Sequence, residues 1–220
     1  MVEIFLDFFD VLMRGLGVTL FLTLISIVFG FILGILLALG KIYGNRFFRW
    51  ISSAFIEIIR GTPLLVQLFI LYYGLPPYGI SLTPLLAAII GFSINSGAYQ
   101  AEYLRGSIQS ISSNQMRAAR SIGMTKWQGI RNIILPQALR KVIPAWTNEF
   151  IYLLKYTSLA YIIGAPEMMA QAKFVASRNY EFFKVYLITA FIYLVLVVFF
   201  SQIFTRLERK VKIPGFDYQR

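Results

Sequence analysis

The sequence contains neither cysteine nor histidine among its 220 residues. Without cysteine, the chain can form no disulfide and offers no thiol nucleophile or thiolate metal ligand. Without histidine, it lacks the commonest general base and the commonest metal ligand of proteins. Most hydrolase and metal-site chemistries therefore lose their usual groups, and we expect no catalytic residue and no metal site in this chain.

Charged residues are also scarce, at 14% of the chain, whereas hydrophobic residues make up 58%. This composition is far more apolar than that of a soluble domain, and it predicts an all-α integral membrane protein with a single membrane domain over residues 1–220. The formal net charge of +11 would favour nucleic-acid binding in a soluble protein. Because long apolar runs separate the basic residues, we expect no nucleic-acid partner.

Five stretches are apolar enough for transmembrane helices, each of which needs about 20 residues. The stretch 61–101 has no charged residue, but it is too long for one span and is interrupted by glycine and proline, so we divide it. Acidic residues precede the first apolar run where a signal peptide would be basic, so we expect that run to remain as a span. The predicted spans are about 16–40, 51–74, 84–104, 142–164 and 185–205.

The distribution of lysine and arginine predicts which side of the membrane each loop faces. Basic residues concentrate in the loops after the first and third spans and in the tail, which all lie on one side of a five-helix arrangement. The amino terminus is therefore predicted outside and the carboxyl terminus in the cytoplasm. The residues assigned to the cytoplasmic side are Lys41, Arg46, Arg49, Arg105, Arg117, Arg120, Lys126, Arg131, Arg140, Lys141, Arg206, Arg209, Lys210, Lys212 and Arg220.

Several ionisable residues fall inside the predicted spans, where each costs about 3 kcal/mol or more and normally faces a partner or a water-filled path. Glu57 and Arg60 are three residues apart and can pair with each other on one helix. Glu102 can pair with Arg105 or reach the membrane interface. Glu149 has no basic neighbour at helical spacing, so it is the best single candidate for a group that faces a cation.

The second predicted span contains Arg60-Gly61-Thr62-Pro63. Pro63 has no backbone N–H and restricts the residue before it, so we expect the helix to break or kink there. Broken helices at this depth can bind the charged ends of substrates, although a kink satisfied by a neighbouring helix is the alternative. Polar residues on the third span could likewise serve helix–helix hydrogen bonds. The candidate substrate-binding residues are Thr62, Asn95, Ser96, Tyr99, Glu102 and Glu149.

The segment Arg117–Pro136 is basic and weakly amphipathic, and it lies between two apolar spans. Gly123 could end one short helix, and Thr125 could cap a second that Pro136 closes. The simplest interpretation is a positively charged loop that sets topology. The alternative is a docking segment for a cytoplasmic partner.

This segment resembles the cytoplasmic signature of ABC-importer permeases, in which an EAA triplet is followed after three residues by glycine and, nine residues later, by Ile-x-Leu-Pro. The spacing is kept, but arginine stands where the signature has glutamate. The stretches EIIRGTPLLVQL from Glu57 and GAYQAEYLRGSIQSI from Gly97 are similar to permeases of polar-amino-acid importers. The residues that carry the resemblance to the signature are Arg117, Ala118, Ala119, Gly123, Ile133, Leu135 and Pro136.

The resemblance implies a type I ABC importer permease core of five transmembrane helices in the cell membrane. It implies that segment 105–141 couples the chain to a separate ATP-binding cassette ATPase, which binds ATP and Mg²⁺. It also implies a second permease copy or a related permease, and an extracellular amino-acid-binding protein that delivers an amino-acid substrate. The excess of Glu102 and Glu149 over Lys155 favours a basic amino acid among polar ones.

The sequence offers no phosphate-binding loop of its own. The nearest candidate, Gly34–Ile42, has the wrong glycine spacing and an isoleucine where serine or threonine must reach Mg²⁺. Energy must therefore come from another polypeptide, which gives a reason for a docking segment. A stand-alone ion-coupled amino-acid carrier using the intramembrane carboxylates is the alternative, but the sequence has no visible inverted repeat.

Overall fold

The computed structural model describes the backbone of residues 2–211 and the side chains of residues 9–211, and within these ranges the fold is entirely helical. Short 3₁₀ helices at Pro76–Tyr78 and Thr157–Ile163 and π-helical turns at Ile70–Gly74 and Ile130–Ile134 complete the helical structure. The tail residues Lys212 and Arg220, which were assigned to the cytoplasm, lie outside the described residues. The α-helices are α1 (Val2–Tyr43), α2 (Arg46–Gly61), α3 (Leu64–Phe69), α4 (Pro84–Gln109), α5 (Ser113–Ser121), α6 (Lys126–Gly129), α7 (Leu135–Tyr156), α8 (Met168–Asn179) and α9 (Phe182–Val211).

Side chains at the helix starts explain where several helices begin. Asn45 Oδ1 accepts a hydrogen bond of 3.0 Å from the Phe48 backbone N–H and so caps α2. Thr83 caps α4, and Pro84 follows in the first turn, where a missing backbone N–H costs little. Glu167 caps α8 by accepting from the backbone N–H groups of its first turn. These caps satisfy amides that a helix leaves without intrahelical partners.

The most extensive packing in the fold joins α1 to α4. Glycines allow the two backbones to approach: a Cβ atom at Gly30 would lie 3.2 Å from the Gly97 nitrogen, and one at Gly34 would lie 3.2 Å from the Gly97 oxygen. A Cβ atom at Gly97 would in turn lie 2.9 Å from Leu33 Cδ2. This interface therefore depends on small residues, as membrane helix pairs commonly do.

The largest buried apolar cluster lies where α1, α3, α4, α7 and the second 3₁₀ helix meet, and it positions the broken helix. A second cluster joins α1 to α8 and α9. Much of α9 exposes large apolar side chains, as expected of a surface that faces lipid or another membrane helix. The buried members of the largest cluster are Leu22, Ile27, Leu68, Ala87, Ala88, Phe92, Phe150, Leu153, Ala160, Ile163 and Ala165.

Two of the predicted spans do not correspond to a single α-helix. The predicted span 51–74 is not one helix, because α2 and the unit Leu64–Gly74 meet at a bend of 104°. The first part of the predicted span 142–164 lies in α7, which begins earlier, at Leu135, and the last part of the span is 3₁₀ helix. By length and hydropathy, Phe9–Tyr43 and Phe182–Val211 can cross a membrane, and the bent pair would make a third. The five-span topology and the orientation remain predictions.

Candidate substrate site and coupling segment

The break between α2 and α3 is the centre of the candidate substrate site. Thr62 and Pro63 are extended, with ψ angles of 142° and 135°, so the chain leaves α2 before it enters α3. Pro63 supplies no backbone N–H, and carbonyl groups at the end of α2 lose their helical partners. The predicted break at this proline is therefore confirmed as a sharp bend, not a mild kink.

Gln67 satisfies the polar groups that the break exposes. Its Nε2 donates to the Ile59 carbonyl oxygen at 2.7 Å, to Thr62 Oγ1 at 2.9 Å and to the Thr62 carbonyl oxygen at 3.1 Å. Its Oε1 accepts a 3.0 Å hydrogen bond from Asn95 Nδ2 on α4. One buried amide thus links both sides of the break to the neighbouring helix. Gln67 was not among the predicted site residues, although a lone amide in an apolar run is a signal for such a role.

A cavity of about 460 Å³ opens beside the break, which is within the usual range for a small-ligand site. It brings together three of the predicted site residues, Thr62, Asn95 and Tyr99. Residues that the sequence did not suggest as ligand contacts, including Tyr156 at the end of α7, complete the wall. The lining residues are Arg60, Gly61, Thr62, Pro63, Leu64, Leu65, Asn95, Tyr99, Tyr156 and Leu159.

The predicted pairing of Glu57 with Arg60 is wrong. Both side chains are exposed, and the ion pairs among the described side chains do not include either residue. The Arg60 guanidinium instead lies over the ring of Tyr99, 5.0 Å from its centroid. The reason is the neighbouring helix: α4 offers an aromatic face on the cavity side, and stacking there keeps the guanidinium solvated while it contacts protein.

Glu149 and Ser96 form a separate polar cluster outside the cavity lining. Glu149 is only 6% exposed, and its carboxylate accepts hydrogen bonds from Ser96 Oγ at 2.8 Å and from the Tyr103 hydroxyl at 3.4 Å. Gln100 Nε2 donates to Ser96 Oγ at 2.9 Å. The two candidates are thus held together by direct contact, but they are not among the residues that line the cavity. No basic side chain pairs with Glu149 among the described residues.

Glu102 lies in an ion-pair cluster away from the cavity lining. Its carboxylate pairs with Lys41 Nζ at 2.8 Å and with Arg105 at 2.7 Å, and Arg105 also donates to Gln109 Oε1 at 2.7 Å. The predicted contact with Arg105 is confirmed. Because both cations reach the carboxylate, Glu102 is neutralised within the chain, and it fastens the end of α1 to α4.

The predicted docking segment folds as two short helices and a turn. Gly123 follows α5 with a φ of +85°, a left-handed conformation that glycine adopts readily. Thr125 begins α6 with a capping box to Gln128, which confirms the predicted cap. Pro136 does not close the second helix: it lies in the first turn of α7, where a proline is tolerated, and the helical chain continues beyond it.

Small residues hold these two helices together. Ala119 is buried, whereas Arg117 and Ala118 are exposed. A Cβ atom at Gly129 would lie 2.8 Å from Met116 Sδ and 3.5 Å from Ala119 Cβ, so α5 and α6 approach closely at this point. The small residues of the segment are therefore used to pack α5 against α6. Of the other signature residues, Ile133 and Leu135 are half-buried and Pro136 is exposed.

Long apolar helices, a polar cavity at a broken helix and a basic helical segment at the predicted cytoplasmic side together define a helical membrane permease. The chain belongs to the family of binding-protein-dependent transport system inner membrane components, which matches residues 30–213. The family, with the relatives below, confirms the predicted resemblance to permeases of polar-amino-acid ABC importers and the multi-pass membrane location.

Similar proteins agree over almost the whole chain. A probable amino-acid permease protein, YxeN of Bacillus subtilis (strain 168), is 43% identical over 215 residues, which cover 96% of each chain. The glutamine transport system permease protein GlnP of Escherichia coli (strain K12) is 34% identical over 204 residues, 92% of this chain and 93% of GlnP. The crystal structure of an amino acid ABC transporter with histidines matches at a TM-score of 0.87 and 38% identity, covering 93% of this chain and 96% of that chain. The chain is therefore a permease subunit of an ABC importer with the fold of that family.

Proposed function

We propose that this chain forms the translocation path of an ATP-driven importer of polar amino acids and binds its substrate in the cavity at the α2–α3 break. The cavity is the observation that carries the proposal, because it combines a broken helix, an amide network and a guanidinium stacked on an aromatic ring at one place. The names of the relatives, which include an amino-acid permease and a glutamine permease, support an amino-acid substrate.

The cavity has groups suited to both charged ends of an amino acid. Arg60 can move from the face of Tyr99 toward a substrate carboxylate, since arginine recognises carboxylates with two parallel hydrogen bonds. The Tyr99 ring can then receive an ammonium group. Thr62 and Asn95 supply a hydroxyl and an amide carbonyl at the same wall. Four side chains of different chemistry therefore face one small-molecule volume.

Glu149 has a more distant role in the proposal. Its buried carboxylate lacks a basic partner among the described residues, and this supports the expected preference for an amino-acid substrate with a basic side chain. Glu102 no longer contributes to that preference, because Lys41 and Arg105 neutralise it. A Glu149→Gln variant tests this point: loss of uptake of basic but not neutral amino acids would support the preference, and unchanged uptake of both would remove Glu149 from the site.

The partners follow from the same proposal. The segment 105–141 contacts a separate ATPase that binds ATP and Mg²⁺, a second permease subunit completes the path, and an extracellular binding protein delivers the amino acid. The family's description as a binding-protein-dependent system supports the last of these. The surface that would accept the ATPase includes Ile122 and Trp127, which are large apolar side chains exposed on the short helices.

The test uses the complex that co-purifies with the tagged full chain, reconstituted in liposomes. Uptake of radiolabelled polar amino acids is measured with ATP inside or outside. We expect Arg60→Gln to raise KM by about tenfold or more, because a hydrogen bond to a charged group contributes about 1.5–3 kcal/mol. Glu57→Gln is the matched control, since Glu57 is exposed on the same helix but does not line the cavity. An unchanged KM in Arg60→Gln would refute the site, and uptake without any ATPase would favour the ion-coupled carrier.

A further inference from the structure

We propose that the ATPase receives the segment 113–131 in an acidic cleft with an apolar floor. This inference rests on the proposed coupling function and adds the chemistry of the partner surface. The relevant surface, called the docking tip below, consists of Arg117, Arg120, Ile122, Trp127 and Arg131.

The docking tip is positively charged, and no acidic side chain among residues 9–211 forms an ion pair with it. The chain contains no acidic residue from Tyr103 to Asn148, and the three arginines of the tip are exposed. Ion pairs among the described side chains join Lys41 and Arg105 to Glu102, and Lys184 to Glu181, so none involves the tip. A partner that buries this surface must supply the negative charge itself, since an unpaired buried charge is costly.

The spacing of the first two arginines sharpens this requirement. Arg117 and Arg120 lie three residues apart on α5, so their like charges repel one another on one helix face. Such a pair weakens α5 in isolation, but a carboxylate placed between the two guanidinium groups would bind both. We therefore expect at least one aspartate or glutamate of the ATPase to lie against this pair.

The apolar part of the docking tip lies at the turn between α5 and α6. Ile122 is 76% exposed and Trp127 is 62% exposed, although both lie in the segment that is predicted to face the cytoplasm. Large apolar and aromatic side chains surrounded by charge are typical of the centre of a protein interface. They predict an apolar floor in the cleft, with the acidic groups around it.

A lipid surface fits the docking tip less well. A helix that lies in the membrane interface needs a broad apolar face. The exposed residues of α5 are serine, asparagine, glutamine, alanine and arginine, and Ala119 faces inward. The apolar area is confined to the turn around Gly123, which suits insertion into a pocket. Charge and shape together favour a folded acidic protein surface.

Charge reversal tests the acidic cleft. The double variant Arg117→Glu/Arg120→Glu is compared with Arg46→Glu/Arg49→Glu, which changes two exposed arginines of α2 that have the same spacing and the same predicted side. In the purified complex, we expect the first variant to lower the affinity for the ATPase subunit by about tenfold or more and to reduce its dependence on salt. The control pair should change affinity by less than about twofold. Equal effects of the two pairs, or unchanged affinity in both, would overturn the acidic cleft.

The apolar floor is tested with a second matched pair. Trp127→Ala should weaken binding of the ATPase by about tenfold, as expected for an aromatic residue at the centre of an interface. Trp50→Ala is the control, because Trp50 is 69% exposed but lies on α2 outside the docking tip. Retention of the ATPase by Trp127→Ala at the level of the unmodified chain would refute the floor.

Two further measurements separate the possible failures. If the unmodified chain binds no ATPase subunit, both the proposed function and this inference fail together. If it binds the ATPase normally but the Arg117→Glu/Arg120→Glu variant does so too, only the acidic cleft fails. A defect of that variant that appears only in vesicles containing anionic phosphatidylglycerol, and not in detergent or phosphatidylcholine, would assign the arginines to lipid and overturn the inference.

Discussion

Replacing Gln67 by leucine should destabilise the break between α2 and α3 and weaken substrate binding at the same time. The amide has two N–H donors, so it can satisfy two of its three nearby acceptors well at any moment, and its oxygen accepts from Asn95. Leucine keeps a similar volume but removes these three hydrogen bonds. At about 0.5–1.5 kcal/mol each, the loss amounts to about 1.5–4.5 kcal/mol, and it leaves carbonyl oxygens of Ile59 and Thr62 without this donor.

Thermal unfolding of the purified complex in detergent and the KM for uptake measure the two consequences. The Gln67→Leu variant should unfold at a lower temperature, and its KM should rise because Asn95 and Thr62 lose their shared support. Gln137→Leu is the control, since that half-buried amide makes one 2.9 Å bond within its own turn, to Ile133. The reasoning is refuted if Gln67→Leu and Gln137→Leu have the same unfolding temperature and KM.

Three further outcomes can be tested on the same preparation. Gly123→Ala should weaken coupling by about 1 kcal/mol through the left-handed backbone alone, because the added Cβ would meet no neighbouring atom within 4 Å. Gly106→Ala is the control, since its Cβ is equally unobstructed but its backbone is helical, and it should not weaken coupling. The number of ATP molecules hydrolysed per amino acid transported measures the difference, and equal values in the two variants would contradict it. Glu102→Gln should lower the unfolding temperature in low salt, because it leaves Lys41 and Arg105 without their carboxylate partner. An unchanged unfolding temperature would show that this ion-pair cluster does not stabilise the fold. Burial raises the pKa of Glu167 to about 7, so between about pH 4.5 and 7 the folded chain holds a proton that the unfolded chain has lost. The stability of the folded chain should therefore fall as pH rises from about 4.5 to 7. Glu167→Gln should flatten that part of the plot of unfolding temperature against pH, and an identical plot would refute the prediction.

The helical class and the position of the break could be predicted from the sequence because they depend on local chemistry. A long run of apolar residues predicts a membrane helix whatever packs against it, and Pro63 disrupts a helix wherever it stands. Thr125 and Gln128 likewise form their capping box within one turn. Each of these features is decided within a few residues of chain.

The arrangement of the site could not be predicted in the same way, because it depends on which helices touch. Sequence spacing places Glu57 next to Arg60, yet Tyr99 of another helix takes the guanidinium. Lys41 reaches Glu102 across 61 positions of sequence. The sequence analysis also placed Glu149 and Tyr99 in one candidate substrate site, whereas Ser96 and Tyr103 hold that carboxylate in a cluster outside the cavity lining.

The same helices that form the site also extend to the docking segment. The chain runs from α6 through the π-helical turn into α7 without a break, and Tyr156 at the far end of α7 lines the cavity. Contacts fasten α7 to α4 at two levels: Glu149 to Ser96 near the cavity, and Lys141 Nζ to the Ser110 carbonyl oxygen at 3.1 Å near the docking segment. A displacement of the docking segment would therefore move α4 and α7 together, whereas the α2–α3 break is joined to α4 through the hydrogen bond that Asn95 Nδ2 donates to Gln67 Oε1. The cavity lies between α4 and α7, which are held to each other, and the bent α2–α3 pair. Its width is therefore the dimension that a displacement of the docking segment would change.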